Sequence, residues 1–366
     1  LNATPEEPYG GGLDVSVEDS QAISTFSDTD RWTGAVTLQY NPTPNFTHKA
    51  TMGLDAVNDQ KTRDLPFGRH YTYIGKNGER NIGYRNARKF TGDYLGNYDY
   101  DDLLGISGSF AFGAQGYWDI TSTSMATGKD FAGEGVTTVG GAARTFGGEN
   151  FAEEVNVGAF AQNRFDLGDL FVTAAVRVDG NSAFGENYGF QVYPKADAAY
   201  NVPVDALPGS FSNLKLRAAI GMAGKAPGAF DQFQTYTPNT VLEDLAGVSP
   251  NNPGNADLEP ENKLEYELGM DVGMFDNRVG IDFTYWNAKT QNALLGIALP
   301  PSEGFSSSQL RNVGEILNKG VELSVNTTVL DQSSLRWNVG VNYEWNYNEI
   351  LDLGETANLD SVPIYD

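Results

Sequence analysis

The segment Leu335–Tyr347 reads LRWNVGVNYEWNY, and every second residue in it is apolar. The odd-numbered positions hold Leu, Trp, Val, Val, Tyr, Trp and Tyr, whereas the even-numbered positions hold Arg, Asn, Gly, Asn, Glu and Asn. Side chains of a β-strand point alternately to opposite faces, so this segment is a strand with one apolar and one polar face. The same alternation recurs in Leu214–Met222, Leu264–Phe275, Arg278–Asn287 and Lys319–Val329. The pattern predicts an antiparallel sheet.

Twelve strands are predicted in all, and the connections between them alternate between short and long. The remaining seven strands are Trp32–Tyr40, Phe46–Val57, Phe90–Tyr100, Leu103–Trp118, Glu154–Phe165, Phe171–Asp179 and Phe190–Tyr200. The eleven connections contain 5, 32, 2, 35, 5, 10, 13, 41, 2, 31 and 5 residues. A transmembrane barrel of the outer membrane has short periplasmic turns and longer extracellular loops. We therefore predict an all-β, antiparallel transmembrane β-barrel.

The same pattern predicts how the chain is divided. The partial barrel covers residues 32–347, with long extracellular loops at 58–89, 119–153, 223–263 and 288–318. Residues 1–31 and 348–366 are expected to be remnants of extracellular loops. Aromatic residues gather near the strand ends, as in the girdles at the two surfaces of a bilayer. These residues are Trp32, Tyr40, Tyr117, Trp118, Tyr285, Trp286, Trp337, Tyr343, Trp345 and Tyr347. The alternative is a soluble β-protein in which the apolar face forms a core.

The composition excludes several functions. The formal net charge of −24 makes nucleic acid an unsuitable partner, because phosphate binding requires a basic surface. The absence of cysteine excludes thiolate metal sites and disulfides. No run of about 18 apolar residues is present, so no transmembrane helix is predicted. A barrel escapes this criterion because only alternate residues of its strands face lipid.

A series of motifs in the second half of the chain resembles a known family. In order they are RVDGNSAFG (177–185), VYPKADAAY (192–200), LKLRAAIGMAGK (214–225), NADLEPE (255–261), YELGMD (266–271), NRVGIDFTYWNAKT (277–290) and NVGEILNKGVEL (312–323). The series resembles the C-terminal barrel portion of SusC/RagA-like TonB-dependent outer-membrane transporters. The chain departs from the family pattern at APGAF (226–230), which leaves the ligand contacts of that loop open.

The resemblance implies a bacterial outer-membrane importer of nutrients such as oligosaccharides or peptides. Family members form a 22-stranded barrel closed by an N-terminal plug, draw energy from the TonB complex through that plug, and often carry a SusD-like surface lipoprotein as a lid. Twelve predicted strands and no recognisable plug lead us to expect a fragment of such a barrel surrounded by outer-membrane lipids. A smaller complete barrel is the alternative. Two other functions stay open, namely a structural or adhesive barrel and a soluble sugar-binding or hydrolytic β-protein.

Two of the predicted loops hold candidate ligand-binding residues. Aromatic rings stack on sugar faces and on cations, and guanidinium groups bind carboxylates, so we select residues of these types. The candidates are Arg69, Tyr71, Tyr73 and Tyr84 in loop 58–89, and Lys225, Phe230 and Tyr236 in loop 223–263. The alternative is ordinary loop packing or contact with anionic lipopolysaccharide.

No catalytic, metal or cofactor site is predicted. The two histidines, His48 and His70, are read as ordinary strand and loop side chains. Ser107 lies within an alternating strand and lacks the strand–turn–helix setting of a nucleophile elbow. The acidic clusters do not have the spacing of a calcium-binding loop and are interpreted as solvated turn residues. We therefore expect a protein that is not an enzyme.

Overall fold

The protein is described from a computed structural model, which covers residues 17–69, 77–103, 105–186, 189–241 and 245–354. Its strands are β1 (Ser24–Thr43), β2 (Phe46–Leu65), β3 (Glu79–Leu103), β4 (Ile106–Phe131), β5 (Ala142–Leu167), β6 (Leu170–Asn181), β7 (Gln191–Asn201), β8 (Phe211–Lys225), β9 (Tyr236–Val241), β10 (Leu245–Pro250), β11 (Glu261–Met274), β12 (Val279–Ile297), β13 (Gln309–Gln332) and β14 (Leu335–Asp352). The described helices are short: α1 (Val17–Gln21) and single 3-10 turns at Val139–Gly141, Val204–Ala206 and Pro301–Glu303.

Twelve of these strands form one sheet, in the order β1-β2-β3-β4-β5-β6-β7-β8-β11-β12-β13-β14. Strands β9 and β10 pair only with each other and form a separate antiparallel hairpin. In the large sheet, apolar residues pair with apolar residues across the strands, as Leu323 does with Tyr343 and Val325 with Val341. A shift of one residue would move each side chain to the other face, so this pattern fixes the register. The predicted all-β, antiparallel class and its twelve strands are confirmed.

The strands are longer than predicted, and the loops are correspondingly shorter. The connection predicted at 58–89 is reduced to 66–78, that at 119–153 to 132–141, and that at 288–318 to 298–308. Residues 223–263 contain the β9–β10 hairpin, and the regions predicted as terminal loops hold the start of β1 and the end of β14. Outside the stretch in which alternate residues are apolar, both faces of a strand are polar. The alternation that predicts a strand is therefore lost there, although the backbone pairing continues.

The chain forms two compact units. The first unit comprises residues 1–37, 51–92 and 117–154, and the second comprises residues 38–50, 93–116 and 155–366. Each unit has one apolar and one polar sheet face. On the apolar face of the first unit Trp32 is 74% exposed, and on that of the second unit Leu268 is 54% and Val341 is 58% exposed. In the described ranges the apolar face therefore has no second layer of protein over it, and it is not the core of a sandwich.

The register corrects the prediction for two aromatic residues. Tyr117 lies on the polar face, where the Lys89 ammonium is 5.0 Å from the centre of its ring and also pairs with Asp119 at 3.0 Å. Trp286 also lies on the polar face, over Gly320, since a β-carbon at that glycine would be 2.7 Å from atoms of the indole ring. Tyr117 precedes Trp118, and Trp286 follows Tyr285. Neighbouring residues of a strand point to opposite faces, so only one residue of each pair can lie on the apolar face.

Candidate functional site

An arginine on the polar face of the second unit holds two facing carboxylates. Asp271 of β11 and Asp282 of β12 are directly opposite in the register. Like charges in this position repel each other. An Nη2 atom of Arg217 in β8 is 2.8 Å from an oxygen of Asp271 and 3.2 Å from one of Asp282, and so it offsets the repulsion. Fixed charges of both signs therefore line this face, which suits contact with water and polar solutes.

A second polar network crosses from β3 to β6 in the same unit. The Gln115 amide donates to Asp93 at 2.6 Å, and Arg177 donates to the Gln115 carbonyl at 3.3 Å. Arg177 also donates to Asp179 at 2.8 Å. The arginine and aspartate of the RVDG motif thus organise the polar wall of the sheet.

A recess of about 330 Å³ opens on the polar face between β7, β8, β11 and β12. Alanine and glycine residues line part of it, and these small side chains leave room that larger residues would fill. Its charged and polar lining consists of Lys195, Asp197, Lys215, Arg217, Glu267 and Thr284. A solute on this side of the sheet would meet both positive and negative groups.

The motif loops pack against one another at the end of the sheet. We name this region the loop joint and define it as Ser182–Gly185, Asn255–Glu261, Asn292 and Asn312. The Gly185 amide donates to the Leu258 carbonyl at 3.0 Å, and Leu258 and Ala183 are fully buried. A β-carbon at Gly185 would collide with the backbone of Ala256, so only glycine permits this approach.

Asn312 is the hub of hydrogen bonding in the loop joint. Its side-chain oxygen accepts from the Glu259 amide at 2.9 Å, and its side-chain nitrogen donates to the Glu259 carbonyl at 2.7 Å. The same nitrogen donates to the Asn292 carbonyl at 3.1 Å. The Glu259 and Glu261 carboxylates accept from Asn292 and from the Leu294 amide, respectively. The motif side chains are thus engaged with one another, and their role is to hold the loops in place.

The loop that follows β8 presents exposed aromatic side chains. Phe230 and Tyr236 are each 51% exposed, and Phe233 lies between them with a similar exposure. The Asn252 amide fixes this backbone by donating to the carbonyls of Phe230 and Phe233, at 3.3 and 3.0 Å. The ring of Phe305, from the next long loop, is 6.4 Å from that of Tyr236. The structure therefore places Phe230 on this braced loop and Tyr236 at the start of β9, and it adds Phe305, which sequence reasoning missed.

Lys225 and Arg69 are both engaged in ion pairs. Lys225 ends β8, and its highly exposed ammonium is 4.0 Å from the Glu261 carboxylate. Arg69 is 3.6 Å from Asp19, which lies in α1. Both side chains remain partly exposed and so retain hydrogen-bonding capacity.

The other candidates of the first loop have different outcomes. Tyr84 lies in β3 rather than in a loop. Its position differs from that of Phe90 by six, an even number, so the two side chains lie on the same face of the strand. Tyr84 therefore lies on the apolar face of the first unit. Tyr71, Tyr73 and His70 lie outside the described residues.

The described residues offer no catalytic arrangement. The Ser107 hydroxyl donates to the Asp101 carbonyl at 2.5 Å. His48 hydrogen-bonds the Tyr94 hydroxyl at 2.7 Å and lies against Phe46, among aromatic residues of the apolar face. Within the described ranges, no three histidine or acidic residues are grouped as a metal would require. Among the described residues, none of the helices has the length and hydropathy of a transmembrane helix.

Comparison with known proteins gives a consistent assignment. The family described as TonB dependent receptor-like, beta-barrel matches residues 3–364. The chain is 32% identical over 200 residues to TonB-dependent receptor P26 of Formosa agariphila, covering 52% of this chain and 20% of that protein. It is 26% identical over 202 residues to TonB-dependent receptor SusC of Bacteroides thetaiotaomicron, covering 51% and 20%.

The structure of the RagAB peptide transporter has the same fold. The TM-score is 0.85 at 20% identity, with 94% of this chain and 40% of that chain covered. The chain thus spans less than half the length of each of these relatives.

Proposed function

Because this chain belongs to the TonB-dependent receptor-like β-barrel family of the bacterial outer membrane, we propose that it forms part of the barrel wall of a nutrient importer. The observation that carries the proposal is the contrast between its two faces. One face exposes Trp, Leu, Val and Tyr side chains, and the other carries the ion pairs around Arg217. Lipid suits the first face and a water-filled interior suits the second.

The backbone of such a wall is compatible with a bilayer. Each strand inside the sheet is paired on both sides, so its amide and carbonyl groups do not need water. The TonB-dependent receptors are transporters, and no covalent step is assigned to these residues. In the complete protein, a plug would connect the barrel to the TonB complex, and a SusD-like lipoprotein would cover the entrance.

The proposed cargo is an oligosaccharide or a peptide, held first by loop residues. Phe230 and Tyr236, with Phe233 beside them, offer rings on a backbone already fixed by Asn252, so little conformational entropy is lost when cargo binds. Lys225 and Arg69, with Tyr71 and Tyr73, remain further candidates for cargo contact.

Uptake by cells that carry the complete protein tests this function. Labelled oligosaccharide and peptide mixtures should enter these cells only when TonB is functional. A Phe230→Ala/Tyr236→Ala double variant removes two rings worth about 0.5–1.5 kcal/mol each, which corresponds to a half-saturating concentration about 5- to 150-fold higher. The matched control is Leu245→Ala, which removes an exposed aliphatic side chain from the same loop region. Uptake that is unaffected by loss of TonB would support a structural or adhesive barrel instead.

A further inference from the structure

The first unit has a groove of about 340 Å³ on its apolar sheet face. The groove crosses β1 to β5, and each strand contributes side chains to it. Its lining includes Asp30, Asn58, Tyr84, Asn86, Ser122 and Glu149. The volume is within the range of about 300–1,000 Å³ that is usual for small-molecule sites.

Strand alternation assigns the groove to the apolar face. Ser122 lies four residues beyond Trp118 in β4, and Tyr84 lies six residues before Phe90 in β3. Even separations place side chains on the same face. Phe90 and Trp118 are in ring contact on that face, with centroids 5.5 Å apart. The groove is therefore on the outside of the proposed barrel, away from the import path.

The groove lies just beyond the aromatic band. The four residues from Trp118 to Ser122 correspond to about 13 Å along the axis of β4. The aromatic rings mark the surface of the hydrocarbon layer. The groove is thus at the height at which the outer leaflet and the cell surface present polar headgroups and sugars.

Its chemistry fits a polyhydroxylated ligand. The Asn86 amide donates to the Asn58 carbonyl oxygen at 2.5 Å, which fixes both side chains and leaves a second donor on Asn86. Amides and hydroxyls both donate and accept, as the hydroxyls of a sugar do. The half-exposed ring of Tyr84 adds a flat surface against which a sugar ring can lie. An apolar ligand would leave these groups without hydrogen bonds, which is costly.

The charges of the groove restrict the class of ligand further. Asp28 and Asp30 of β1 stand near one end of the groove and Glu149 of β5 near the other, and these carboxylates would repel phosphate or carboxylate groups. The one cation in the described lining, Arg85, follows Tyr84 in β3, so its side chain points to the opposite face of the sheet. We propose that this groove binds a neutral saccharide chain from outside the barrel. The ligand would be either a neutral part of a surface glycolipid or a free oligosaccharide, since both present the same hydroxyls.

Binding to the complete, purified protein in detergent tests the groove without requiring transport. The probes are an array of neutral oligosaccharides and, separately, purified lipopolysaccharide. Tyr84→Ala and Asn86→Ala should each raise the dissociation constant about tenfold, as expected for the loss of one good contact. The control is Lys61→Ala, which shortens an exposed side chain on the opposite face of β2. Heat-modifiable gel mobility verifies that each variant is folded.

The outcomes separate the two sources and can overturn the proposal. Binding of lipopolysaccharide that Tyr84→Ala weakens identifies a glycolipid, and binding of free oligosaccharide alone identifies a soluble chain. Absence of binding to every probe would refute the saccharide site, as would equal affinities for wild type and a folded Tyr84→Ala variant. Import is measured separately, so its failure would not be confused with failure of this groove.

Discussion

Placing one arginine on each side of the sheet tests which face meets lipid. Leu268 of β11 pairs with Ala218 and Tyr285, which lie on the apolar face. It is six residues from Met274 at the end of its strand, which is about 20 Å along the axis and close to the middle of a tilted span. The change Leu268→Arg therefore puts a charge near the centre of the bilayer.

The magnitude follows from this depth. Arginine on the lipid face of a barrel costs about 2–4 kcal/mol at the midplane and at most about 1 kcal/mol near the interfaces. A cost of 2–4 kcal/mol lowers the folding equilibrium constant about 30- to 700-fold. The control is Ala219→Arg, one step away on the polar face, where the register pairs Ala219 with Asp197 and Glu267. The two carboxylates favour a cation, so we expect a change within about 0.5 kcal/mol.

The assay is urea-dependent unfolding of the complete protein in lipid vesicles, followed by heat-modifiable mobility on gels. The free-energy difference between Leu268→Arg and Ala219→Arg should be at least about 1.5 kcal/mol, in favour of the latter. Equal stabilities, or a less stable Ala219→Arg variant, would show that hydrocarbon does not contact the Leu268 face. The assignment of the two faces would then be wrong.

Three further predictions concern packing, the loop joint and pH. Gly320→Ala puts a methyl group against the Trp286 ring and should destabilise the sheet by about 1–3 kcal/mol in the same urea assay. Asn312→Ala leaves backbone groups of the loop joint without partners, and limited proteolysis should cut residues 226–260 faster. Hydrogen bonds from Arg144 and then Asn77 lower the pKa of Asp130 below its ordinary value, so their stabilisation is present above the unfolded-state pKa and is lost as the pH falls through the folded-state value. The protection of backbone amides around Asp130 against hydrogen exchange, relative to their intrinsic exchange rate at each pH, should therefore fall at acid pH.

Each of these predictions has its own control. Gly280→Ala adds the same methyl group where the nearest atom is 3.9 Å away, and it should leave the urea midpoint unchanged. The urea midpoint of Asn312→Ala should also change little, because Asn312 lies near the outer end of β13, beyond the apolar band of that strand. Arg144→Gln should remove most of the pH dependence of amide protection near Asp130. Persistence of that dependence would place the responsible group elsewhere.

The sequence predicted the strands and their faces because lipid contact demands apolar residues at alternate positions. This alternation is absent where the strands extend beyond the lipid, so the strand ends could not be predicted from it. The extension of β3 back to Glu79 contains Tyr84, Arg85 and Asn86, in which neither face is uniformly apolar, so it resembled a loop. The β9–β10 hairpin has proline in each strand, which argues against a strand when read from sequence alone.

The loop joint explains why the family motifs do not identify the cargo. The joint connects Gly185 to Leu258 and Glu259 to Asn312, which are far apart in sequence, through backbone amides and carbonyls that no residue pattern encodes. The motif residues are occupied in fixing loop positions, and the exposed rings of Phe230 and Tyr236 lie outside the matching motifs. A protein can therefore keep the motifs, and with them the barrel and its loop geometry, while the residues that meet the cargo change. Resemblance in this family consequently specifies the scaffold and its loop geometry, and the exposed rings vary independently of it.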